Sequence, residues 1–287
     1  MTTSHPGPAG RPDTAVRMWQ AGDLGGLELF RATISEFAFH PHAHEEFFIA
    51  LTEGGRAHAV YRHDTHLIGP GDLIALNPQE AHAGGPPSQS SWTYRALYPG
   101  PRLMRVIMEE FPGAGPSLPA FGGDLVRDPA AAARLRRFHR LSELPGSSPL
   151  ERAACLAEAL VLLVGRHCRP AQEPRGAGRE RAAVLRAKQY LEDHAEQNVS
   201  LDALAGFAGL SAFHLCRVFR QATGMTPHAY QTQARVWRAK PLLRSGLPIT
   251  QVATQAGFYD QAHFTRHFKR IMGLTPARYA ADAGLGA

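Results

Sequence analysis

One sequence pattern occurs twice in this chain, as LAGFAGLSAFHLCRVFRQATGMTPHAY (Leu204–Tyr230) and as VATQAGFYDQAHFTRHFKRIMGLTPARY (Val252–Tyr279). The Ala-Gly pairs match at an offset of 48 residues. After one extra residue, the offset is 49 through the Thr-Pro pairs and the closing tyrosines. A repeat marks a supersecondary unit that the chain uses more than once. This repeat therefore decides the fold of the second half of the chain.

Each copy has the pattern of two helices separated by a glycine turn. In the second copy, apolar residues recur at i, i+3, i+4 and i+7 from Ile249 to Ala256, which predicts one buried helix face. Gly257 is expected to end that helix, because glycine accepts a positive φ without steric cost. Asp260 is expected to cap the following helix, as Ser211 does in the first copy.

The pattern predicts two helix-turn-helix units, at about 201–222 and 249–272. The second helix of each unit has an outer face rich in basic and hydrogen-bonding residues, which suits the DNA major groove. Ordinary helical hairpins with solvated basic faces are the alternative, but two copies in register favour DNA binding. The charge agrees with this interpretation. From residue 180 onward there are 13 Lys+Arg and 7 Asp+Glu, whereas residues 1–179 hold 18 of each.

The stretch 181–281 resembles the DNA-binding domain of AraC/XylS-type transcription regulators, most clearly in GFYDQAHFTRHFKRIMGLTPARY from Gly257 to Tyr279. The resemblance implies seven helices, with one long helix joining the two units, and contacts to successive major grooves of promoter DNA. By position, it implies base reading by Phe213, Cys216, Arg217, Gln261, Ala262, His263, Thr265 and Arg266. It implies phosphate contacts by Arg220, Lys269 and Arg270.

Pro241 departs from what the joining helix, expected at about 227–244, should contain. A proline inside a helix removes a hydrogen bond and costs about 3 kcal/mol or more unless the helix bends. Its consequence is either a bend near the helix end or an altered angle between the two reading helices. We favour the bend.

The first half of the chain has the pattern of strands followed by helices. Alternation from Leu27 to Gly55, with Gly/Pro turns after it, predicts a small barrel or jelly roll, and helical periodicity follows from about Arg102. The fold class is therefore α+β, with a β-barrel and trailing helices in front of an all-α domain. The predicted segments are a disordered lead-in (1–15), the barrel domain (16–168) and a linker rich in Pro, Gly and charge (169–180).

The barrel resembles the cupin-type sensor domain of many regulators of the same family, through HPHAHEE (His40–Glu46) and PGDLIALNPQEAH (Pro70–His82). The resemblance implies a small-molecule effector inside the barrel. If this segment is one strand, His40, His42, His44 and Glu46 share one face, and the fold implied by the resemblance brings His82 toward them. The candidate pocket residues are His42, His44, Glu46, His82 and Tyr94.

A metal site in the barrel is less expected. Catalytic cupins add a glutamate to their histidines, and Phe48 or Ile49 stands at the expected position here. We predict no metal and no cofactor. Binding of Zn²⁺ or Ni²⁺ by the imidazoles stays open, as does a purely hydrogen-bonding role for the histidines.

The sequence predicts a DNA-binding transcription regulator, an activator that acts with RNA polymerase as a homodimer under control of a small-molecule effector. A metal-dependent cupin enzyme, a dioxygenase or isomerase, is the alternative. The chain contains no P-loop, dinucleotide fingerprint, G-x-S-x-G or HExxH motif. Three cysteines give no paired framework, and no apolar run approaches 18 residues, so a cytoplasmic protein without membrane contact is expected.

Overall fold

A computed structural model describes residues 15–35, 37–61, 64–112, 117–123, 125–170 and 178–284. The predicted lead-in, 1–15, lies outside the described residues except for Ala15. Ala15 begins the first strand rather than ending the lead-in.

The first half of the chain forms two antiparallel sheets facing each other. The strands are β1 (Ala15–Ala21), β2 (Leu27–Ile34), β3 (Phe39–His42), β4 (Phe48–Gly55), β5 (Ala57–Tyr61), β6 (Asp64–Ile68), β7 (Leu73–Leu76), β8 (His82–Gly85), β9 (Trp92–Tyr98), β10 (Pro119–Phe121), β11 (Leu125–Val126) and β12 (Cys168–Pro170). One sheet has the order β1-β2-β9-β4-β7-β11 and the other β3-β8-β5-β6, while β10 pairs with β12.

The six-stranded sheet is buried on both faces. In β4, Phe48 and Ala50 point between the sheets, whereas Ile49 and Leu51 point to the opposite side, as strand alternation requires. Three helices cover that opposite side: α1 (Pro101–Glu109), α2 (Pro129–Leu141) and α3 (Pro149–His167). The predicted order of a barrel followed by helices is confirmed.

The described part of the second half, residues 178–284, consists of seven helices. They are α4 (Arg179–Asp193), α5 (Leu201–Ala208), α6 (Ala212–Thr223), α7 (Pro227–Arg244), α8 (Ile249–Gln255), α9 (Gln261–Met272) and α10 (Pro276–Gly284). Ser211 and Asp260 accept hydrogen bonds from the backbone amides of His214 and His263, so both reading helices begin at a side-chain cap. The joining helix α7 continues through Pro241 to Arg244.

Within the described residues, no single helix is long and apolar enough to cross a membrane. The α5–α6 pair passes that test of length and composition only when its two helices, bent by 79°, are taken together.

The linker is shorter than the predicted 169–180. Arg169 and Pro170 belong to β12, which pairs with β10, and Arg179 and Glu180 form the first turn of α4. The composition of this segment did not reveal these structures, because strand pairing depends on a partner about fifty residues earlier. Residues 171–177 lie outside the described residues.

The two halves share a hydrophobic core. One cluster of buried residues contains Phe30 and Tyr94 from the barrel together with Phe264 and Phe268 from α9. Gly273, which ends α9 at a φ of +78°, lies so close to the barrel that an added Cβ would be 2.9 Å from the ring of Phe39. The helical half is therefore docked against the barrel.

Candidate ligand cavity and nucleic-acid interface

A cavity lies between the two sheets, where the helical half meets the barrel. The volume open to the centre of a water molecule is about 40 Å³. Side chains from both sheets line it, together with Ile271 and Met272 at the end of α9. The barrel residues of the wall include Phe39, His42, His44, Phe48, Tyr61, His82, Trp92, Tyr94 and Tyr98.

Three of the predicted pocket residues form one cluster. The ring centroids of His42 and His82 are 4.4 Å apart, those of His42 and His44 4.9 Å, and those of His44 and His82 5.0 Å. The imidazoles come from different backbone segments, because His42 ends β3, His44 follows in the loop and His82 begins β8. The register pairs His42 with His82 directly across the sheet. The cluster thus rests on one strand pairing.

Burial keeps these imidazoles neutral. Loss of solvation lowers the pKa of His42 to about 4, and it lowers the pKa of His44 and His82 well below the ordinary value. The charges of the neighbouring histidines lower the pKa of His44 and His82 further. Nδ1 of His42 lies 2.8 Å from the carbonyl oxygen of His40, and Nδ1 of His82 lies 3.1 Å from that of Glu80. These contacts leave Nε2 as the remaining ring nitrogen of His42 and of His82.

The other two predicted pocket residues differ. Tyr94 lies in the cavity wall, stacked on Trp92 with ring centroids 3.9 Å apart. Glu46 does not line this cavity, and it lies instead in a separate surface depression beside Glu28 and Tyr98. The prediction extended strand alternation from His40 to Glu46, but β3 ends at His42 and the loop turns Glu46 away.

The residues that the sequence interpretation missed are Ile271 and Met272. Both are buried, with exposed fractions of 9% and 6%, and they close the cavity from the side of the second helix-turn-helix unit. A signal was present in the repeat. The equivalent residues of the first copy are Ala222 and Thr223, so the second copy is more apolar at these two positions.

A buried carboxylate holds the two halves together beside this wall. Glu28 of β2 accepts hydrogen bonds from Nζ of Lys240 and Nη1 of Arg244, both at 2.8 Å, and from the hydroxyl of Tyr279 at 2.9 Å. Burial alone would raise the pKa of Glu28, but the charge and hydrogen bond of Lys240, helped by Tyr279 and Arg244, outweigh burial and lower it. The carboxylate of Glu28 is therefore ionised when the helical half is docked against the barrel.

Further polar contacts extend this interface. The backbone amide of Ala43 donates to Oε1 of Gln233 at 2.7 Å, and the amide of Met18 donates to Asp282 at 3.3 Å. The hydroxyl of Tyr230 donates to Gln79 at 3.2 Å. The segment that carries the histidines is thus bonded directly to the helical half.

The proposed DNA-reading residues lie on the outer faces of α6 and α9. Arg217, Gln261, Ala262 and Arg266 are exposed, and so is Phe213, with 82% of its surface in solvent. Cys216, His263 and Thr265 are partly covered, and the ring of His263 lies edge-on to His267 at 4.6 Å. Arg220, Lys269 and Arg270, the predicted phosphate contacts, are exposed.

The two equivalent arginines have different surroundings. Nη2 of Arg217 lies 3.5 Å from Oε1 of Glu180, which also accepts from Nε2 of His214 at 2.7 Å. Among the described residues, no carboxylate lies within 4 Å of Arg266. Arg217 is therefore ion-paired in this structure, whereas Arg266 has no such partner among the described residues.

Known proteins resemble both halves of this chain. A family model described as an AraC-like ligand binding domain matches residues 24–161, and one described as a helix-turn-helix domain matches residues 204–282. YbfI of Bacillus subtilis, an uncharacterized HTH-type transcriptional regulator, is 31% identical over 227 residues, which are 78% of this chain and 81% of YbfI. The arabinose operon regulatory protein of Escherichia coli is 26% identical over 248 residues, covering 85% of this chain and 84% of that protein. The crystal structure of ToxT from Vibrio cholerae superposes with a TM-score of 0.59 at 13% identity, covering 89% and 97% of the two chains, which shows a common fold.

Proposed function

Since the chain belongs to the AraC/XylS-type family of DNA-binding transcription regulators with an N-terminal ligand-binding domain, we propose that its effector enters the histidine cavity and alters DNA binding by displacing the end of α9. The observation that carries this proposal is the shared wall. Ile271 and Met272 belong to the same helix as Gln261 and Arg266, which face outward for DNA. One rigid element therefore has a ligand-facing end and a DNA-facing side.

The size of the cavity supports displacement. Ligand pockets for organic molecules commonly measure about 300–1,000 Å³, and the volume open to water centres here is about 40 Å³. A sugar-sized effector fits only if part of the wall moves. The barrel strands are fixed by sheet hydrogen bonds, whereas Ile271 and Met272 are held by packing across the interface.

A ligand shifts a conformational equilibrium only by binding one state better than the other. An effector larger than the present cavity meets that condition, because it excludes the docked position of α9. We propose that the barrel and the second helix-turn-helix unit are coupled in this way. Base reading by the eight residues of α6 and α9, and phosphate contact by Arg220, Lys269 and Arg270, complete the proposal.

YbfI and the arabinose operon regulatory protein are both regulators, and within the described residues no carboxylate joins the histidine cluster that a cupin enzyme would use. We therefore retain the regulator over the metal-dependent cupin enzyme. Activation through RNA polymerase in the cytoplasm is part of the proposal. So is a homodimer through α1–α3, whose exposed residues include Val106 and Leu150, and sedimentation of the purified chain would test the dimer.

The effector site is tested with the whole chain and a DNA duplex that it selects from a random-sequence pool. A metabolite library is then screened against the protein. A compound that raises the melting temperature by mass action is expected to change the affinity for the duplex. His44→Ala should retain duplex binding but lose that change, while His58→Ala, on the exposed face of β5, should behave as wild type. A His44→Ala protein with the full wild-type response would contradict the cavity as the effector site.

A further inference from the structure

The histidine cluster has the arrangement of a ligand set. One imidazole nitrogen from each of His42, His44 and His82 can be chosen so that all three lie within 4.8 Å of one another. The first two side chains are buried, with 4% and 8% of their surface exposed, and the third is partly buried. Three imidazoles in mutual contact inside an apolar wall are costly to bury unless their polar atoms have partners.

Two of those polar atoms have no partner. Nε2 of His44 and Nε2 of His82 are buried without a hydrogen bond in the described structure. Buried polar groups in proteins are nearly always paired, so an orphaned pair that shares one small space calls for an occupant. Nε2 of His82 presents a lone pair, because its Nδ1 donates to a carbonyl, and Nε2 of His44 presents one in one of its two neutral tautomers, so a metal ion that accepts both lone pairs fits this space.

Backbone carbonyls fix which nitrogen of His42 and of His82 is free to bind a metal. The Nδ1 atoms of His42 and His82 lie beside the carbonyl oxygens of His40 and Glu80 and donate to them in the neutral ring. Metal-binding histidines usually bond a carbonyl in this manner, because it fixes the tautomer and turns the other nitrogen toward the ion. The neutral state that burial imposes on the rings is also the state that binds a metal.

The nitrogen donors limit which metal ions this site can bind. Imidazole nitrogen suits Zn²⁺, Ni²⁺, Co²⁺ and Cu²⁺, whereas Mg²⁺ and Ca²⁺ require oxygen ligands. Two nitrogens bound to one tetrahedral Zn²⁺ at about 2.0–2.1 Å lie about 3.4 Å apart. The candidate ligand nitrogens, now within 4.8 Å of one another, therefore need to approach by about 1.4 Å at most.

The site differs from a cupin metal centre in its charge. The aromatic ring of Phe48 stacks on His44 and His82, with centroids 5.4 and 5.0 Å away, and no carboxylate belongs to the group within the described residues. A divalent ion held by three neutral ligands keeps its full charge in an apolar wall. An anionic ligand from outside would compensate that charge.

We propose that His42, His44 and His82 bind a divalent late-transition-metal ion, such as Zn²⁺, and that its remaining coordination position takes an anionic donor, such as a carboxylate, from a small molecule in the cavity. This metal site does not depend on the effector response proposed above. It is measured without DNA and without an effector, so either proposal can fail alone.

The experiment uses the tag-free, full-length protein, stripped with EDTA and titrated with Co²⁺, whose visible absorption reports nitrogen coordination, and then with Zn²⁺ in competition. One equivalent per chain is expected. His44→Ala and His82→Ala should each weaken binding by at least tenfold. His40→Ala, an exposed histidine whose backbone carbonyl remains, should bind as wild type.

X-ray absorption of the Zn²⁺-loaded wild type counts the imidazole ligands without relying on any variant. Three imidazoles are expected, and one or none would overturn the site, even if the alanine variants fail to fold. Equal Co²⁺ affinity of all folded variants would also overturn it.

The anionic donor is tested by adding acetate or azide to the Co²⁺ form. A concentration-dependent shift of the absorption bands is expected for an accessible coordination position. An unchanged spectrum at saturating anion would overturn the proposed role of the ion in holding a carboxylate ligand.

Discussion

The two helix-turn-helix units begin alike and end differently. At an offset of 49 residues, Arg217 matches Arg266 and Phe219 matches Phe268, and both phenylalanines are fully buried. One turn later Ala222 is exposed, whereas its equivalent, Ile271, is buried in the cavity wall. The two copies therefore share a sequence pattern but have different surroundings, because of the two helices α6 and α9 only α9 reaches the cavity.

The closing tyrosines show the same divergence. The hydroxyl of Tyr230 donates to Glu192 of α4, within the helical half, and to Gln79 of the barrel. The hydroxyl of Tyr279 donates to Glu28 of the barrel, which also binds the end of α7. The first unit touches the barrel at its rim, and the second is bound to it through a buried charge. The second unit should therefore respond first when the interface changes.

Glu28→Gln offers the largest test of this difference. Breaking a buried ion pair costs about 3–5 kcal/mol, since the remaining charges of Lys240 and Arg244 lose their partner. We expect faster hydrogen exchange in residues 271–274 and 39–43. Glu192→Gln, which alters the acceptor of Tyr230, is the matched control and should leave those segments unchanged. Equal exchange in both variants would contradict the proposed difference between the units.

The same carboxylate predicts a pH dependence of the docked state. The pKa of Glu28 is lowered from its ordinary value of 4.5, so its contribution is complete above that pH and is lost as the pH falls through the lowered pKa. Burial raises the pKa of the Tyr279 hydroxyl, so this donor does not titrate in the acid range. Melting temperatures of wild type and Glu28→Gln should therefore converge as the solution is acidified below pH 4.5.

Replacing the end of α9 by the end of α6 tests the cavity wall itself. Truncation of a buried Ile to Ala costs about 2–5 kcal/mol, and in Ile271→Ala/Met272→Thr this loss falls on the interface. We expect duplex affinity to lose its dependence on a cavity-binding compound. Ala222→Ile, the reverse change at the exposed position, should respond as wild type. A double variant with an undiminished response would show that the signal takes another route.

The reading helices should differ less in their contact with DNA. An arginine that binds guanine through two hydrogen bonds contributes about 1–3 kcal/mol of discrimination. Arg266→Ala is expected to lose this in its half of the operator. Arg217→Ala should lose less, because the wild-type side chain first gives up Glu180. Titration against single-base operator variants measures both, and identical losses spread over the whole operator would argue against groove reading.

Arg220→Ala gives the smallest expected effect. A phosphate contact adds affinity for every sequence alike, so its loss should weaken all duplexes equally and reduce the salt slope by about one. Duplex titrations at several salt concentrations provide the measurement. A selective loss for one base pair would instead assign Arg220 to base reading.

Local features of this protein were predictable from the sequence. The helix starts at Ser211 and Asp260 and the glycine turn at Gly257, where φ is +85°, depend on neighbouring residues, and the repeat displays the pattern twice. The histidine cluster was predicted because a motif resemblance supplied the strand pairing. Glu46 was placed wrongly because alternation does not show where β3 ends.

The docking of the two halves could not be derived in this way. The contact between Ala43 and Gln233 joins residues 190 positions apart, and composition suggested an independent domain behind a linker. Pairings at that separation follow from surface shape, which a single sequence does not display. The apolar pair Ile271 and Met272 at the end of α9 was the one local indication.

The single span of α9 also sets the scale of any movement transmitted by this protein. At 1.5 Å of rise per residue, Ile271 lies about 12 Å along the helix axis from His263. The helix is therefore a short, stiff element whose cavity-facing residues lie at its C-terminal end. Rotation about the buried Phe264 and Phe268 would convert a displacement of one methionine length at the cavity into a tilt of the DNA-facing edge. The residues that would set operator preference and those that would set ligand preference then lie at opposite ends of α9. Substitutions at one end can therefore change one preference without altering the other.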